Sequence, residues 1–168
     1  MNPAFDPRPP LRVLLAHEVR FVIIGGIAGV LLGSPSFTFD LDLCYDRDSE
    51  NLKRLAGALT ELKATLRGAA PQLPFHLDAK TLQMGDSFTF ETSSGYLDCL
   101  GTPAGTSGYG DLRKNATEVV VDGDLHVMVA SIEDLLRMKR AAGRPKDLIA
   151  VEILSALKEE RDRRNAGS

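Results

Sequence analysis

Sulfur and imidazole are scarce in this chain: two cysteines, Cys44 and Cys99, and three histidines, His17, His76 and His126, among 168 residues. Two thiols build no disulfide framework, and they are too few, with histidines scattered, to make a tetrahedral zinc site. None of the histidines stands in a pattern with Ser or Cys, so a nucleophilic triad has no support. Long apolar runs are also missing. The opening segment MNPAFDPRPPLRVLL carries Pro7, Pro9 and Pro10 and has no apolar stretch of signal-peptide type, and nothing further along is long enough to span a bilayer. The expectation is no membrane association, a cytoplasmic location and reduced thiols. Strong charge of one sign is absent too. Twenty basic residues against twenty-three acidic give a net charge of −3, which excludes a broad cationic field for coating nucleic acid and leaves room only for a local basic patch. Neither the G-x-G-x-x-G dinucleotide fingerprint nor the G-x-x-x-x-G-K-[ST] phosphate loop occurs. No internal repeat or linker divides the chain, so it reads as a single domain over 1–168, with a core of about 11–160 and a polar tail, 161–168.

What is present is concentrated in Phe21–Tyr45, FVIIGGIAGVLLGSPSFTFDLDLCY. An apolar strand runs into Gly25-Gly26 and a short helix, and a second strand carries Asp40 and Asp42. Side chains alternate along a strand, so both carboxylates share one face while Leu41 and Leu43 point into the core. Paired anionic oxygens on rigid backbone suit a hard cation such as Mg²⁺. A Gly-Gly turn at a helix start offers free N–H groups and close approach, which suit phosphate. Taken singly, an Asp-x-Asp is common at strand ends and a Gly-Gly pair is usually a tight turn; the order of the elements is what points to a metal-assisted nucleotide site.

The remaining pattern predicts a helix over Leu11–Glu18, a strand at Arg20–Ile24, a helix at Ala28–Leu32 closed by Gly33, and a period-two strand over Phe37–Tyr45. Ser49 is expected to start a helix with Leu52, Leu55, Leu59, Leu62 and Leu66 on its buried side. A loop is expected at Gly68–Pro74 and strands at Phe75–Leu77, Ser87–Thr92 and Gly95–Leu100. Gly101–Gly110 reads as a flexible loop on the substrate side. A hairpin follows, Glu118–Asp122 and Leu125–Val129 around Asp122-Gly123. A helix from Ser131 to about Ala142 is interrupted by Gly143–Pro145. A last helix runs from Lys146 to about Arg161, with a fraying tail beyond. The class is α+β, a mixed β-sheet flanked by helices.

The pattern G-G-x-A-x(4)-G-x-P-x-x-T-x-D-L-D-L resembles the nucleotidyltransferase superfold shared by DNA polymerase β and the aminoglycoside nucleotidyltransferases. Its residues here are Gly25, Gly26, Ala28, Gly33, Pro35, Thr38, Asp40, Leu41, Asp42 and Leu43, with thirteen residues between Gly26 and Asp40. The spacing is similar to that of the AbiEii and MenT nucleotidyltransferase toxins of bacterial toxin–antitoxin pairs. It departs from the minimal nucleotidyltransferase antitoxins, which carry Gly-Ser and a shorter gap. A second segment, from Lys139 through Arg144 to Lys146 and Asp147, is similar to the K-x-x-A-x-R-x-K-D stretch of the same toxins.

The resemblance implies Mg²⁺-dependent transfer of a nucleoside monophosphate from an NTP to a hydroxyl, with two Mg²⁺ ions expected and Mn²⁺ as a substitute. Asp40 and Asp42 would be metal ligands, and Asp98, on the apolar strand Tyr96–Leu100, a third ligand or general base. Gly25 and Gly26, with Ser36, Thr38 and Arg144, would hold phosphate, and Lys139 would balance the leaving charge. Asp147 would orient Lys139 or the incoming hydroxyl, leaving open whether Asp98 or the Lys139–Asp147 pair carries the base role. Without the resemblance, Asp98 reads as a hydrogen-bonded edge aspartate, Ser36 and Thr38 as strand alternation, and the 139–147 charges as a solvated rim. The implied acceptor is a tRNA 3′ end and the implied partner an antitoxin, with Arg137, Lys139, Arg140, Arg144 and Lys146 as a patch for RNA phosphates. The alternatives are a small-molecule or protein acceptor, or a catalytically silent module of the same fold.

Overall fold

The computed structural model describes residues 5–69 and 76–167. Among these residues seven strands form one mixed sheet in the order β3-β4-β5-β2-β1-β7-β6. The inner strand β1 (Phe21–Ile24) has all four side chains buried, as expected of a strand covered on both faces. It pairs antiparallel with β2 (Asp40–Tyr45) and parallel with β7 (Leu125–Val129). β2 in turn runs parallel to β5 (Gly95–Leu100), placing Asp42 opposite Asp98 and Leu43 opposite Cys99. The outer strands are β4 (Ser87–Thr92), which forms a hairpin with β5, the two-residue β3 (Thr65–Leu66), and β6 (Thr117–Asp122), which forms a hairpin with β7.

Helices α1 (Arg8–Ala16), α3 (Ser49–Glu61) and α4 (Ala79–Met84) pack on one another, while α2 (Gly25–Leu31), α6 (Ile132–Ala142) and α7 (Pro145–Ala166) form a second group. A seventh, α5 (Tyr109–Asn115), rests on β1. Leu11, Leu14, Ile23, Leu41, Leu43, Leu55, Leu59 and Phe90 are fully buried in the core. Among the described residues no helix is long and apolar enough to cross a membrane.

The α+β class, the mixed sheet and the two hairpins agree with expectation; α1 runs Arg8–Ala16 rather than Leu11–Glu18, and other boundaries differ as well. Helix α2 begins at Gly25 rather than Ala28, because Gly25 takes φ +70 and swings the strand directly into the helix. Strand β2 begins at Asp40 rather than Phe37, because β1 ends opposite Asp42 and the β4–β5 turn lies just beyond Tyr96. The three residues before it have no strand to pair with, and Phe37 and Phe39 turn to solvent. Helix α3 stops at Glu61; Lys63 takes φ +54, reverses the chain and delivers Leu66 to β3. The stretch read as a flexible loop, 101–110, is tied down at several points and ends in α5. Thr102 N donates to Asp86 at 3.1 Å, Ser107 N to Asp111 at 3.0 Å, and Arg137 Nη2 to Asp111 at 3.0 Å. The tail does not fray, since α7 continues to Ala166 with Lys158–Asp162 and Glu160–Arg164 pairs at helical spacing. Of the expected strand at 75–77, Phe75 lies outside the described residues, as does most of the 68–74 loop, and His76 and Leu77 are not in a strand.

Register also decides the thiols. Cys44 lies opposite Leu100 and Cys99 opposite Leu43, so the two sulfurs project to opposite faces of the sheet, and both are free and buried.

Candidate active site

The sheet register assembles the site. Ile24 lies opposite Asp42, Asp42 opposite Asp98, and Asp98 opposite Thr89, whose carbonyl accepts from Arg67 N at 2.9 Å. Paired residues share a face, so Asp42, Asp98 and Arg67 stand in one transverse row, with Asp40 two residues along the same face of β2. One oxygen from each of Asp40, Asp42 and Asp98 falls within 4.8 Å of the others, the only such carboxylate, Cys or His triplet among the described residues. A donor set made wholly of carboxylate oxygens suits Mg²⁺ or Mn²⁺ rather than a softer ion. The crowding has an electrostatic mark. Burial first, and the neighbouring Asp98 second, push the Asp42 carboxyl up to about 7, as expected of like charges confined where a cation would relieve them.

Gly25 and Gly26 matter here by what they lack. A Cβ on Gly25 would overlap the Asp42 carboxylate, and one on Gly26 would lie 2.8 Å from the Thr38 side chain. The bare backbone at the start of α2 therefore lets Asp42 and Thr38 close against it. Thr38 Oγ1 bonds the Asp40 backbone, and Ser36 Oγ accepts from Ser34 Oγ at 3.0 Å. Both hydroxyls line the site, and both shape the approach to β2.

The corner between α6 and α7 brings the cationic residues in. Ser131 caps α6 by accepting from Asp134 N at 3.0 Å, and Gly143 ends it at φ +64. Pro145, which needs no N–H partner in the first turn, opens α7. Asp147 is fully buried there. Its carboxylate accepts from Arg144 N at 3.1 Å, Arg144 Nε at 2.7 Å, Arg144 Nη2 at 3.2 Å and Lys139 Nζ at 3.4 Å. The Arg144 bonds, then that of Lys139, hold its carboxyl at about 2, so it is a poor proton acceptor whose oxygens are already engaged.

Two cavities meet at this constellation. The first, about 410 Å³, runs from Gly25, Gly26 and Ser36 past Phe37 and Phe39 to Ala150 and Ile153 of α7. The second, about 300 Å³, is bounded by Ile24, Leu100, Pro103, Leu135 and Met138, with Asp98 and Arg144 facing it. Gly25, Asp40, Asp42, Lys139 and Lys146 belong to both. The three aspartates, Lys139, Asp147 and Arg144, the two glycines, Ser36 and Thr38 thus converge, while Arg137 and Arg140 line neither cavity.

Three features of the site are visible only in the fold. Arg67 Nη2 donates to Asp98 Oδ1 at 2.9 Å while the guanidinium lies 4.1 Å above the Tyr96 ring. No local pattern signals a partner thirty-one residues away. Lys146 faces both cavities and has no ion pair among the described residues. Phe37 and Phe39, expected to open the β2 strand, form the exposed lip of the first cavity. The five-residue basic patch is also smaller than its composition suggests. Arg137 is paired with Asp111 and Asp134, and Lys139 and Arg144 with Asp147, which leaves Arg140 and Lys146.

No known protein family matches the chain, and no curated protein does. Solved structures do. The lincosamide antibiotic adenylyltransferase LnuA, bound to lincomycin, superposes with a TM-score of 0.61 at 15% identity, over 93% of this chain and 99% of that one. The antibiotic-resistance factor ANT(2'')-Ia gives 0.52 at 17% identity over 95% and 92%. TM1012 from Thermotoga maritima, provisionally named a nucleotidyltransferase, gives 0.52 at 17% over 93% and 90%. The fold is that of the nucleotidyltransferases.

Proposed function

We propose that the chain is a Mg²⁺-dependent nucleotidyltransferase that moves a nucleoside monophosphate from an NTP to a hydroxyl acceptor and releases pyrophosphate. The observation that carries this reading is the pair of cavities sharing a wall of Asp40 and Asp42: a donor fits on one side, an acceptor on the other, and the reacting phosphorus between them. Divalent metal held by Asp40, Asp42 and the oxygen of Asp98 that Arg67 leaves free would supply charge neutralisation at the α-phosphate. The acceptor oxygen bonds to the α-phosphorus as the α–β bridging bond breaks, and the electron pair leaves with pyrophosphate. Asp98, facing the second cavity, takes the hydroxyl proton. The N–H groups at Gly25 and Gly26 receive phosphate oxygens, and Lys139 balances the charge that develops on the leaving group. Asp147 acts through Lys139 and Arg144 and is a positioning residue.

The acceptor that the site supports best is a small hydroxyl compound. The second cavity, about 300 Å³, sets Ile24, Leu100, Leu135 and Met138 beside the charged groups Asp98, Lys139 and Arg144, a mixed lining and a size suited to a small polar molecule. Most cations available to an RNA are spent on internal carboxylates. LnuA, of the same fold, is named for a small antibiotic. An RNA 3′ end, with a toxin role and a cognate antitoxin, is the second reading. It is favoured by the Lys139–Asp147 pair, which brings together in space the two residues of the toxin-like segment.

The test incubates the protein with Mg²⁺, each α-³²P-labelled NTP and either total tRNA or a panel of aminocyclitol and lincosamide polyols, with Asp40→Ala as control. Label on a polyol, lost in the variant, establishes the first reading, and label on tRNA the second. Absence of label on both, with no NTP binding, overturns the transferase reading.

A further inference from the structure

Phe37 is 92% exposed and Phe39 62% exposed, two aromatic rings left open to solvent two residues apart. They are not a frayed end. Thr38, between them, is locked against Gly26 and bonded to the Asp40 backbone. Upstream, Ser34 is buried, its N–H donating to Gly29 O at 2.8 Å and its hydroxyl to Ser36. The segment is held on both sides, and its two aromatic rings form the lip of the first cavity.

The lining of that cavity holds two chemistries. Gly25, Gly26, Lys139 and Lys146, beside the carboxylates of Asp40 and Asp42, suit a metal-bound anion; the two rings with Ala150 and Ile153 of α7 suit a flat apolar group. A ligand with an anionic part and an aromatic part fits such a lining, and a nucleoside triphosphate is such a ligand. The second cavity has no aromatic side chain among its lining residues. Of the two cavities, the first alone has aromatic side chains in its lining on which a base can stack.

We infer that Phe37 and Phe39 form the stacking platform for the nucleobase of the donor, which assigns the donor to the first cavity and the acceptor to the second. The inference rests on the transferase reading above. Stacking uses the face that every base presents, so the lip anchors the base without choosing it.

The experiment separates base from phosphate. Binding of α,β-methylene NTP analogues and of tripolyphosphate is measured by calorimetry in Mg²⁺, for the wild type and for Phe37→Ala/Phe39→Ala. Both side chains are exposed, and thermal melts verify that the variant folds. The expected result is a loss of analogue affinity of about five- to a hundredfold, the range seen when base-stacking aromatics are truncated, with tripolyphosphate binding unchanged. The chain has no tryptophan, so Phe37→Trp adds a single emitter. Its fluorescence should be quenched by the analogues and not by tripolyphosphate. Analogue binding that survives the double substitution overturns the platform while leaving the transferase reading intact. Equal losses for analogue and tripolyphosphate overturn it as well. A wild type that binds neither ligand overturns both readings together.

Discussion

At the scale of single residues, the site is a set of charges whose neighbours pull them apart. Asp42 is raised to about 7 and Asp147 lowered to about 2, and the two shifts act on stability in opposite senses. For Asp42, the folded chain holds a proton between about pH 4 and pH 7 that the unfolded chain has lost. Stability of the metal-free protein therefore falls as pH rises through that window. Metal-free wild type should melt lower at pH 8 than at pH 5, and Asp42→Asn should flatten the slope. Added Mg²⁺ should raise the melting temperature of the wild type more at pH 8. A thermal-shift series over pH, with and without Mg²⁺, checks all three. For Asp147 the sign is reversed: its contribution is complete above about pH 4 and is lost as pH falls toward 2. Asp147→Asn should be less stable than wild type at neutral pH, with the gap closing in acid, as urea titrations at pH 6 and pH 3 would show. Arg67 holds one oxygen of Asp98 and acts on the site through it. Its replacement by Met should weaken Mn²⁺ binding, followed by electron paramagnetic resonance, by about tenfold to a hundredfold, the usual cost of losing a group that orients a metal ligand. Arg67→Lys should recover part of this.

At the scale of elements, the carboxylate strand is positioned by one buried amide. Asn51 of α3 accepts from Arg20 N at 2.7 Å and donates to Arg20 O at 3.1 Å and Asp46 O at 2.7 Å, clamping the entry to β1 and the exit from β2. Asn51→Leu takes that partner from Arg20 N and Asp46 O, while Arg20 O keeps its bond from Asp46 N at 3.1 Å, and a loss of about 1–3 kcal/mol is expected from equilibrium unfolding. Elements of this size show where sequence patterns were readable. Strands β4 and β5 were legible because alternation and a Ser-Ser-Gly turn coincide, and α6 because Ser131 and Gly143 mark both ends. Leu66 was misplaced because a leucine at helical spacing looks the same whether the helix continues or, as here, Lys63 reverses the chain. Phe37 and Phe39 alternate as a strand does, yet pairing needs a neighbour, and β1 has ended by then. The short helices α4 and α5 carry too few periodic residues to announce themselves.

At the scale of the whole molecule, two helix groups serve different ends. The α1–α3–α4 group packs the core, while α2, α6 and α7 shape the cavities. Binding of a methylene NTP analogue with Mg²⁺ should slow amide exchange at 25–40 and 139–150 and leave α1 and α3 unchanged, which exchange mass spectrometry would read. The sequence singled out Asp40, Asp42, Lys139 and Asp147 because each belongs to a compact motif. It missed Arg67 and overcounted the basic patch for a common reason: which charges neutralise each other is decided by strand order and helix crossing, not by spacing along the chain. The transverse row from Ile24 through Asp42 and Asp98 to Arg67 has one more consequence. A slip of one residue between β2 and β5 would turn the aspartates into the core and bring the leucines out, so register errors destroy packing and site together. A molecule slipped between β2 and β5 would lose both, and in any preparation the fraction that binds Mn²⁺ should not exceed the fraction that is folded.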